Sequence, residues 1–324
     1  MTRSKVIDGE KELNKKPLDK KPNVERIVSD ELTWLNIENP TTMETKYLAQ
    51  YYPFHPLDLD DCLSRIQRPK MDEYENYLFI VLRFPLFSQK ERVTVPSQVS
   101  IFIGKDYLIT LHSGLLKPLV SLFRDCQQNE AARLENMKSS GYLLYRIIDR
   151  LVDYCFPILD KIMANIERVE DDIFDSRTPD PIETLSELRR DVISYRRIVW
   201  PLRAVIAGLE QNTKPFTPED MEVYWGDVVD HVDKIWDTLD ECKEIIDGLN
   251  ETGAFLASHH TNQVMRVLTI IATIMMPLTL VASFYGMNIN LPGGDHDITF
   301  IIILLVMFVA IAGMLLFFRR RHWI

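Results

Sequence analysis

Two uninterrupted apolar segments near the end of the chain constrain its fold more than any other feature. "VLTIIATIMMPLTLVASFYGM" (267–287) and "ITFIIILLVMFVAIAGMLLFF" (298–318) are each 21 residues long, and about 20 apolar residues in a helix cross the hydrocarbon core of a bilayer. Between 267 and 318 the only charged residues are Asp295 and Asp297, both in the short connection. Helices without a polar face belong in lipid, so the pair predicts two transmembrane spans rather than a buried soluble hairpin. The first 23 residues, "MTRSKVIDGEKELNKKPLDKKPN", lack the apolar core of a signal peptide. They predict a flexible tail over 1–30.

Flanking charges orient the spans. Arg266 precedes the first and "RRRHW" (319–323) follows the second, while the connection 288–297 carries no Lys or Arg. The positive-inside bias then predicts a multi-pass protein of the cytoplasmic membrane, with both termini in the cytoplasm and the connection outside. Four scattered cysteines, Cys62, Cys126, Cys155 and Cys242, form no CxxC pair. They suit packing in a reducing compartment.

The remainder predicts an α+β protein: a mixed α/β domain with a helical hairpin over 31–217, then a long stalk helix. Short strands are expected at 32–37, 77–84, 98–103 and 107–112, where β-branched and aromatic residues are dense, with "GKD" (104–106) as a hairpin turn. "HPLDLDDCLSR" (55–65) reads as a helix with Pro56 near its start. From 141 to 175 apolar residues recur every three or four positions; "SRTPDP" (176–181) breaks the pattern and 182–211 runs back, an antiparallel helical hairpin. Thr217, Pro218, Glu219 and Asp220 make a helix start.

From 218 to 287 one continuous helix of 70 residues is expected, about 105 Å at 1.5 Å per residue. It must pack against other helices to persist. Residues 219–251 contain twelve Asp or Glu against Lys234 and Lys243; a bundle of such helices repels itself unless cations screen it. On the membrane part, Asn262, Met265, Thr269, Ala272, Met276, Thr279 and Ser283 advance by three or four residues and form one stripe. Two spans cannot enclose a water path, but a symmetric ring of the first span can. Small polar residues also drive close helix packing without a pore, so the stripe alone does not decide.

The stretch that follows is more specific. "YGMN" (285–288) resembles the Tyr-Gly-Met-Asn signature of the CorA family of divalent-cation channels and transporters. "TNQVMRVLTIIATIMMPLT" (261–279) is similar to that family's pore helix, "YWGDVVDHVDKI" (224–235) to its stalk and "QRPKMDEYENYLFIVLRF" (67–84) to its cytosolic domain. The resemblance implies a funnel-shaped homopentamer in the lipid bilayer, its first helices lining the pore. It places Tyr285, Gly286, Met287 and Asn288 at the selectivity entrance, Asn262 and Thr279 as polar rings, and Met265, Leu268 and Met276 as apolar constrictions. It makes Asp227 a regulatory Mg²⁺ ligand sharing the ion with a carboxylate of the neighbouring domain, for which Asp60, Asp61 and Glu91 are available.

The implied chemistry is consistent with these residue types. A ring of Asn288 carboxamides offers neutral oxygens to a hydrated cation, and Mg²⁺ dehydrates reluctantly. Gly286 is expected to let the backbone turn tightly, and Met287 to pack rather than ligate, since a thioether suits soft metals. The expected function is Mg²⁺ uptake gated by intracellular Mg²⁺, with Co²⁺ and Ni²⁺ passage open. The outer loop "INLPGGDHDI" departs from the family's Met-Pro-Glu-Leu pattern, with Asp295 and Asp297 displaced toward the second span. They could still attract cations.

Two alternatives stand beside this reading. A zinc transporter of the same superfamily would draw on His231, His259, His260 and His296, imidazole being a good Zn²⁺ ligand. A membrane-anchored scaffold or sensor that transports nothing would explain the spans but not the stripe ending in Asn288. No P-loop, GxSxG or HExxH supports an enzyme, and no nucleic-acid partner is expected. The four arginines of "RRDVISYRR" (189–197) suggest phosphate or lipid binding, but on a helix among many acids they read more simply as an ion-paired face.

Overall fold

One six-stranded sheet organises the N-terminal half of the computed structural model, which describes residues 22–64, 67–90, 93–174, 181–287 and 297–323. Strands β1 (Glu25–Ser29), β2 (Leu32–Glu38), β3 (Lys70–Glu73), β4 (Leu78–Ser88), β5 (Val93–Ile103) and β6 (Tyr107–His112) lie in the order β1-β2-β6-β5-β4-β3. Only β2 and β6 pair parallel; the other neighbours are antiparallel. The four expected strands are present. β1 and β3 went unread because neither carries an apolar run: in β1 only Ile27 and Ser29 are buried, and in β3 nothing is. β1 therefore lies inside the stretch expected to be a tail, while residues 1–21 fall outside the described residues.

The strands β4 and β5 are longer than the sequence suggested because both continue through a proline, Pro85 facing Pro96 across the ladder. A non-hydrogen-bonded pair is where two residues without an N–H can face each other. Both faces of the sheet are covered. Phe79 and Val81 of β4 meet Leu48 of α1 (Thr42–Tyr51) and Leu59 and Cys62 of α2 (Pro56–Leu63). Trp34 of β2 meets Phe123 of α3 (Lys117–Gln128) edge to face at 4.9 Å. Burial on both sides explains why the central strands read as unbroken apolar runs.

Helix α1 was not expected, although its signal is in the sequence. Thr41 and Glu44 form a reciprocal capping box, each side chain bonding the other's backbone. The helical stretch 141–175 divides into α5 (Ser140–Asp153) and α6 (Cys155–Phe174), after a short α4 (Glu130–Asn136). Pro157 has no N–H to offer the Asp153 carbonyl and its ring crowds it, so the turn at Tyr154 falls where one helix cannot continue.

Helices α7 (Pro181–Asn212) and α8 (Glu222–Tyr285) carry heptad seams. The buried residues on α7 include Leu185, Leu188, Val192, Tyr195, Val199, Leu202, Ile206 and Leu209, and those on α8 include Trp225, Val228, Val232, Ile235, Leu239, Cys242 and Ile246. Steps of three and four in alternation are the pattern of coiled-coil packing. Arg189, Arg196 and Arg203 pair with Asp247, Asp240 and Asp233, so the two helices run antiparallel with matching seven-residue spacing. The Tyr195 hydroxyl donates to the Cys155 carbonyl at 2.7 Å and ties α7 back to α6.

The long helix starts at Glu222, four residues after Pro218. Thr217 Oγ1 accepts from the Glu219 N–H at 3.4 Å, which spends the expected cap on a turn before the helix, and Asp220, expected in the first turn, instead precedes it and accepts from the Glu222 N–H at 3.1 Å. The chain divides into two compact units, Met1–Asp247 and Gly248–Ile324. Among the described residues two helices are long and apolar enough to cross a membrane: α8, through its C-terminal part, and α9 (Asp297–Arg320), through Ile301–Arg320.

Candidate metal path and metal centre

All seven residues of the stripe, and Leu268, lie on the C-terminal part of α8, Asn262 and Met265 just before the apolar span, and are exposed on the single chain. Its hydroxyls have a defined orientation: Thr269 donates to the Met265 carbonyl at 2.7 Å and Thr279 to the Met275 carbonyl at 2.8 Å. The donor of each is thereby used within the helix. The oxygen lone pairs that remain are acceptors, the polarity that a cation or its hydration water requires.

At the end of the helix the reason for the glycine differs from the expected one. Gly286 donates its N–H to the Ala282 carbonyl at 2.9 Å and does not adopt a positive φ; among the described glycines only Gly114 does, at 73°. What Gly286 supplies is space, since a Cβ there would stand 3.1 Å from the Ala282 carbonyl oxygen. Tyr285 and Met287 beside it are about half exposed. Asn288, Glu91, Asp295 and His296 lie outside the described residues, and Asp297 is the first residue of α9.

The first unit holds a separate acidic cluster. Asp149 near the end of α5, Asp227 and His231 each offer a ligand atom, and these atoms lie within 4.8 Å of one another. His231 Nε2 is 3.9 Å from Asp227 and its Nδ1 is 3.7 Å from Asp153. That buried Nδ1 has no hydrogen-bond partner, and burial first, then the neighbouring Asp153, raises the pKa of Asp149. Such a group of carboxylates with an orphaned imidazole nitrogen fits a divalent cation, which would offset the charge of Asp149 that burial penalises.

Of the expected partners for Asp227, Asp61 is already held by Lys70 at 2.8 Å and Gln67 at 2.5 Å, and Asp60 stands exposed on α2. The residue that sequence reasoning missed is Asp149. It sits in an amphipathic helix among ordinary charged residues, and only the packing of α5 against α8 sets it apart.

On the outward side of the stalk, Asp230, Asp237, Glu241 and Glu244 are exposed and form no ion pair among the described residues. They follow Asp227 at steps of three, seven, four and three. α7 therefore neutralises three of the twelve acids and leaves a second acidic face uncompensated.

The chain thus combines a sheet-based domain that carries a candidate cation cluster with two helices of membrane-spanning length. Residues 29–320 match the CorA-like Mg²⁺ transporter protein family. The cobalt/magnesium transport protein CorA of Thermotoga maritima is 32% identical over 294 residues, covering 90% of this chain and 83% of that protein. The zinc transport protein ZntB of Klebsiella pneumoniae is 22% identical, covering 98% and 94%. Among solved structures, the CorA magnesium transporter of Methanocaldococcus jannaschii superposes with a TM-score of 0.79 at 23% identity, over 91% of this chain and 92% of that one. The chain belongs to the CorA-like Mg²⁺ transporter family, whose members are transporters and not enzymes.

Proposed function

We propose that the protein is a homopentameric Mg²⁺ channel of the cytoplasmic membrane, entered past Asn288 and closed by intracellular Mg²⁺ at Asp227. The observation that carries the reading is the stripe from Asn262 to Ser283, in which the threonine hydroxyls present acceptors on an otherwise apolar helix. In a ring of five such helices, Asn262 and Thr279 form polar rings. Met265, Leu268 and Met276 form hydrophobic constrictions that block ions by excluding water, so opening needs only a modest widening. Both termini lie in the cytoplasm, and the negative interior drives entry at about 2.3 kcal/mol per charge per 100 mV.

Closure follows from the charges. Asp227 heads the uncompensated acidic face and stands with Asp149 and His231. Mg²⁺ there, completed by a carboxylate of the neighbouring subunit, screens the stalks; its loss lets them repel and splay. The outer acids Asp295 and Asp297 concentrate cations at the mouth, and Co²⁺ and Ni²⁺ share the path.

A zinc-carrying variant is the second reading, favoured by the imidazole in the cluster, a better ligand for Zn²⁺ than for Mg²⁺. Uptake into liposomes holding the purified protein, with Mg²⁺ and Zn²⁺ compared with and without a proton gradient, separates the two. Mg²⁺ flux without a gradient that collapses in Asn288→Ala supports the channel. Proton-dependent Zn²⁺ flux supports the variant, and no flux of either ion from folded pentamers returns the protein to a scaffold.

A further inference from the structure

A cavity of about 880 Å³ lies within the first unit, between α7 and the β3–β4–β5 side of the sheet. Four arginines line it: Arg68 before β3, Arg83 on β4, and Arg197 and Arg203 on α7. No carboxylate lines it among the described residues. Arg203 is committed to Asp233, with Nη2 donating at 2.9 Å. Among the described residues Arg68, Arg83 and Arg197 have no ion-pair or hydrogen-bond partner; Arg68 and Arg197 are exposed, whereas the Nε of Arg83 is shielded from solvent without an acceptor. Burial also pulls the Arg83 pKa below its ordinary value.

A desolvated guanidinium without a counter-charge is costly, and in a chain of formal net charge −10 a convergence of cations with no acid among them is the reverse of the general balance. The remaining wall is apolar except for Ser194, whose hydroxyl donates to the Thr94 carbonyl. Trp200 is 59% exposed and lines the cavity with Pro69 and Pro201. Guanidinium forks bind phosphate oxygens bidentately, an indole face takes a flat ring, and the volume is that of a small-molecule site.

We propose that this cavity binds an organic phosphate, its oxyanion held by Arg83, Arg197 and Arg68 and its apolar body laid against Trp200. The site is separate from the cation path and does not depend on transport.

The test is calorimetric titration of the full chain in zwitterionic nanodiscs, in EDTA so that no metal bridges ligand to Asp227, with adenosine 5′-monophosphate and with inorganic phosphate. Saturable binding of the nucleotide, tighter than that of phosphate, is expected. Affinity should fall at least about tenfold in Arg83→Gln and in Arg197→Gln, charge-assisted bonds being the strong ones, with unchanged melting, and should stay the same in Asp227→Ala. Repetition in discs containing phosphatidylglycerol identifies the source: competition by the lipid points to a headgroup phosphate, and its absence to a soluble one. The proposal is overturned if neither probe binds saturably in zwitterionic discs, or if both arginine variants bind as the parent chain does.

Discussion

Asp149 and Asp227, 78 positions apart in the sequence, present carboxylate oxygens within 4.8 Å of each other. Two carboxylates that close repel unless a proton or a cation sits with them; burial first, then Asp153 and less strongly Asp227, hold the pKa of Asp149 above its ordinary value. Asp149→Asn removes one ligand while keeping the shape. With the protein in liposomes loaded with Mg²⁺ on the cytosolic side, the concentration needed to halve uptake should rise by about tenfold in Asp149→Asn and in Asp227→Ala, the scale of one lost charge-assisted contact. The double variant should add little to either alone, because both changes empty one site. Unaltered inhibition in both single variants would remove the cluster from the gating scheme.

The ion pairs between α7 and α8 are surface pairs, with Arg189 and Arg203 each about half exposed at the side chain. As exposed pairs they add little to stability. Their larger effect is on the stalk's charge: changing Arg189, Arg196 and Arg203 to Gln together removes three positive charges and leaves Asp233 and Asp240 unpaired, Asp247 keeping Lys243 at 3.4 Å. Melting should move little, while the Mg²⁺ needed for closure should rise and become sensitive to ionic strength over the range where the Debye length is about 10 Å. A triple variant that closes at the same Mg²⁺ concentration as the parent would show that stalk repulsion does not drive opening.

What the sequence made legible were the features that a single period or a single composition carries. The two membrane-length helices, the α6–α7 pair and the four apolar strands were all read from it, and the arginines at 189 and 196 do lie on an ion-paired face. The heptad seam from Trp225 to Ile246 was equally available but hidden by the acidic run around it. β3 could not be read, because a strand with no buried side chain is defined by its neighbour's hydrogen bonds and leaves no pattern of its own. Asp149 was invisible for a related reason. A site assembled from α5 and α8 has no local spacing, whereas Asp227 and His231, four apart on one helix, do.

Gly286 gives a prediction that separates space from flexibility. Its backbone conformation is open to any residue, so Gly286→Ala should fold and assemble, but the added Cβ would stand 3.1 Å from the Ala282 carbonyl oxygen and must displace the last helical turn by a few tenths of an ångström. Uptake should therefore drop while melting and oligomer size stay unchanged. Gly286→Asn tolerates positive φ better than Ala does, so if flexibility were the requirement it would retain more activity than Ala. Because space is the requirement, Gly286→Asn should be at least as impaired.

His112 supplies a stability prediction whose sign is fixed by its surroundings. It is 2% exposed; Nδ1 accepts from the Gly114 N–H at 3.0 Å, so Nε2 carries the proton donated to Asn36 Oδ1 at 2.9 Å. A second proton would have to enter at Nδ1 against an N–H donor, and burial pulls the pKa from 6.5 to about 4. Between those two values the unfolded chain binds a proton that the native one refuses, so the contribution is present above pH 6.5, declines as pH falls, and is fully lost below about 4. The whole effect is on the order of 3 kcal/mol. Carboxylates such as Asp58 and Asp191, whose pKa values burial raises, act in the opposite sense, which makes the comparison with His112→Gln the informative one. Melting of the full chain followed by tryptophan fluorescence from pH 7.5 to 4.5 should fall more steeply for the parent than for the variant, and parallel curves would mean that His112 does not titrate on unfolding.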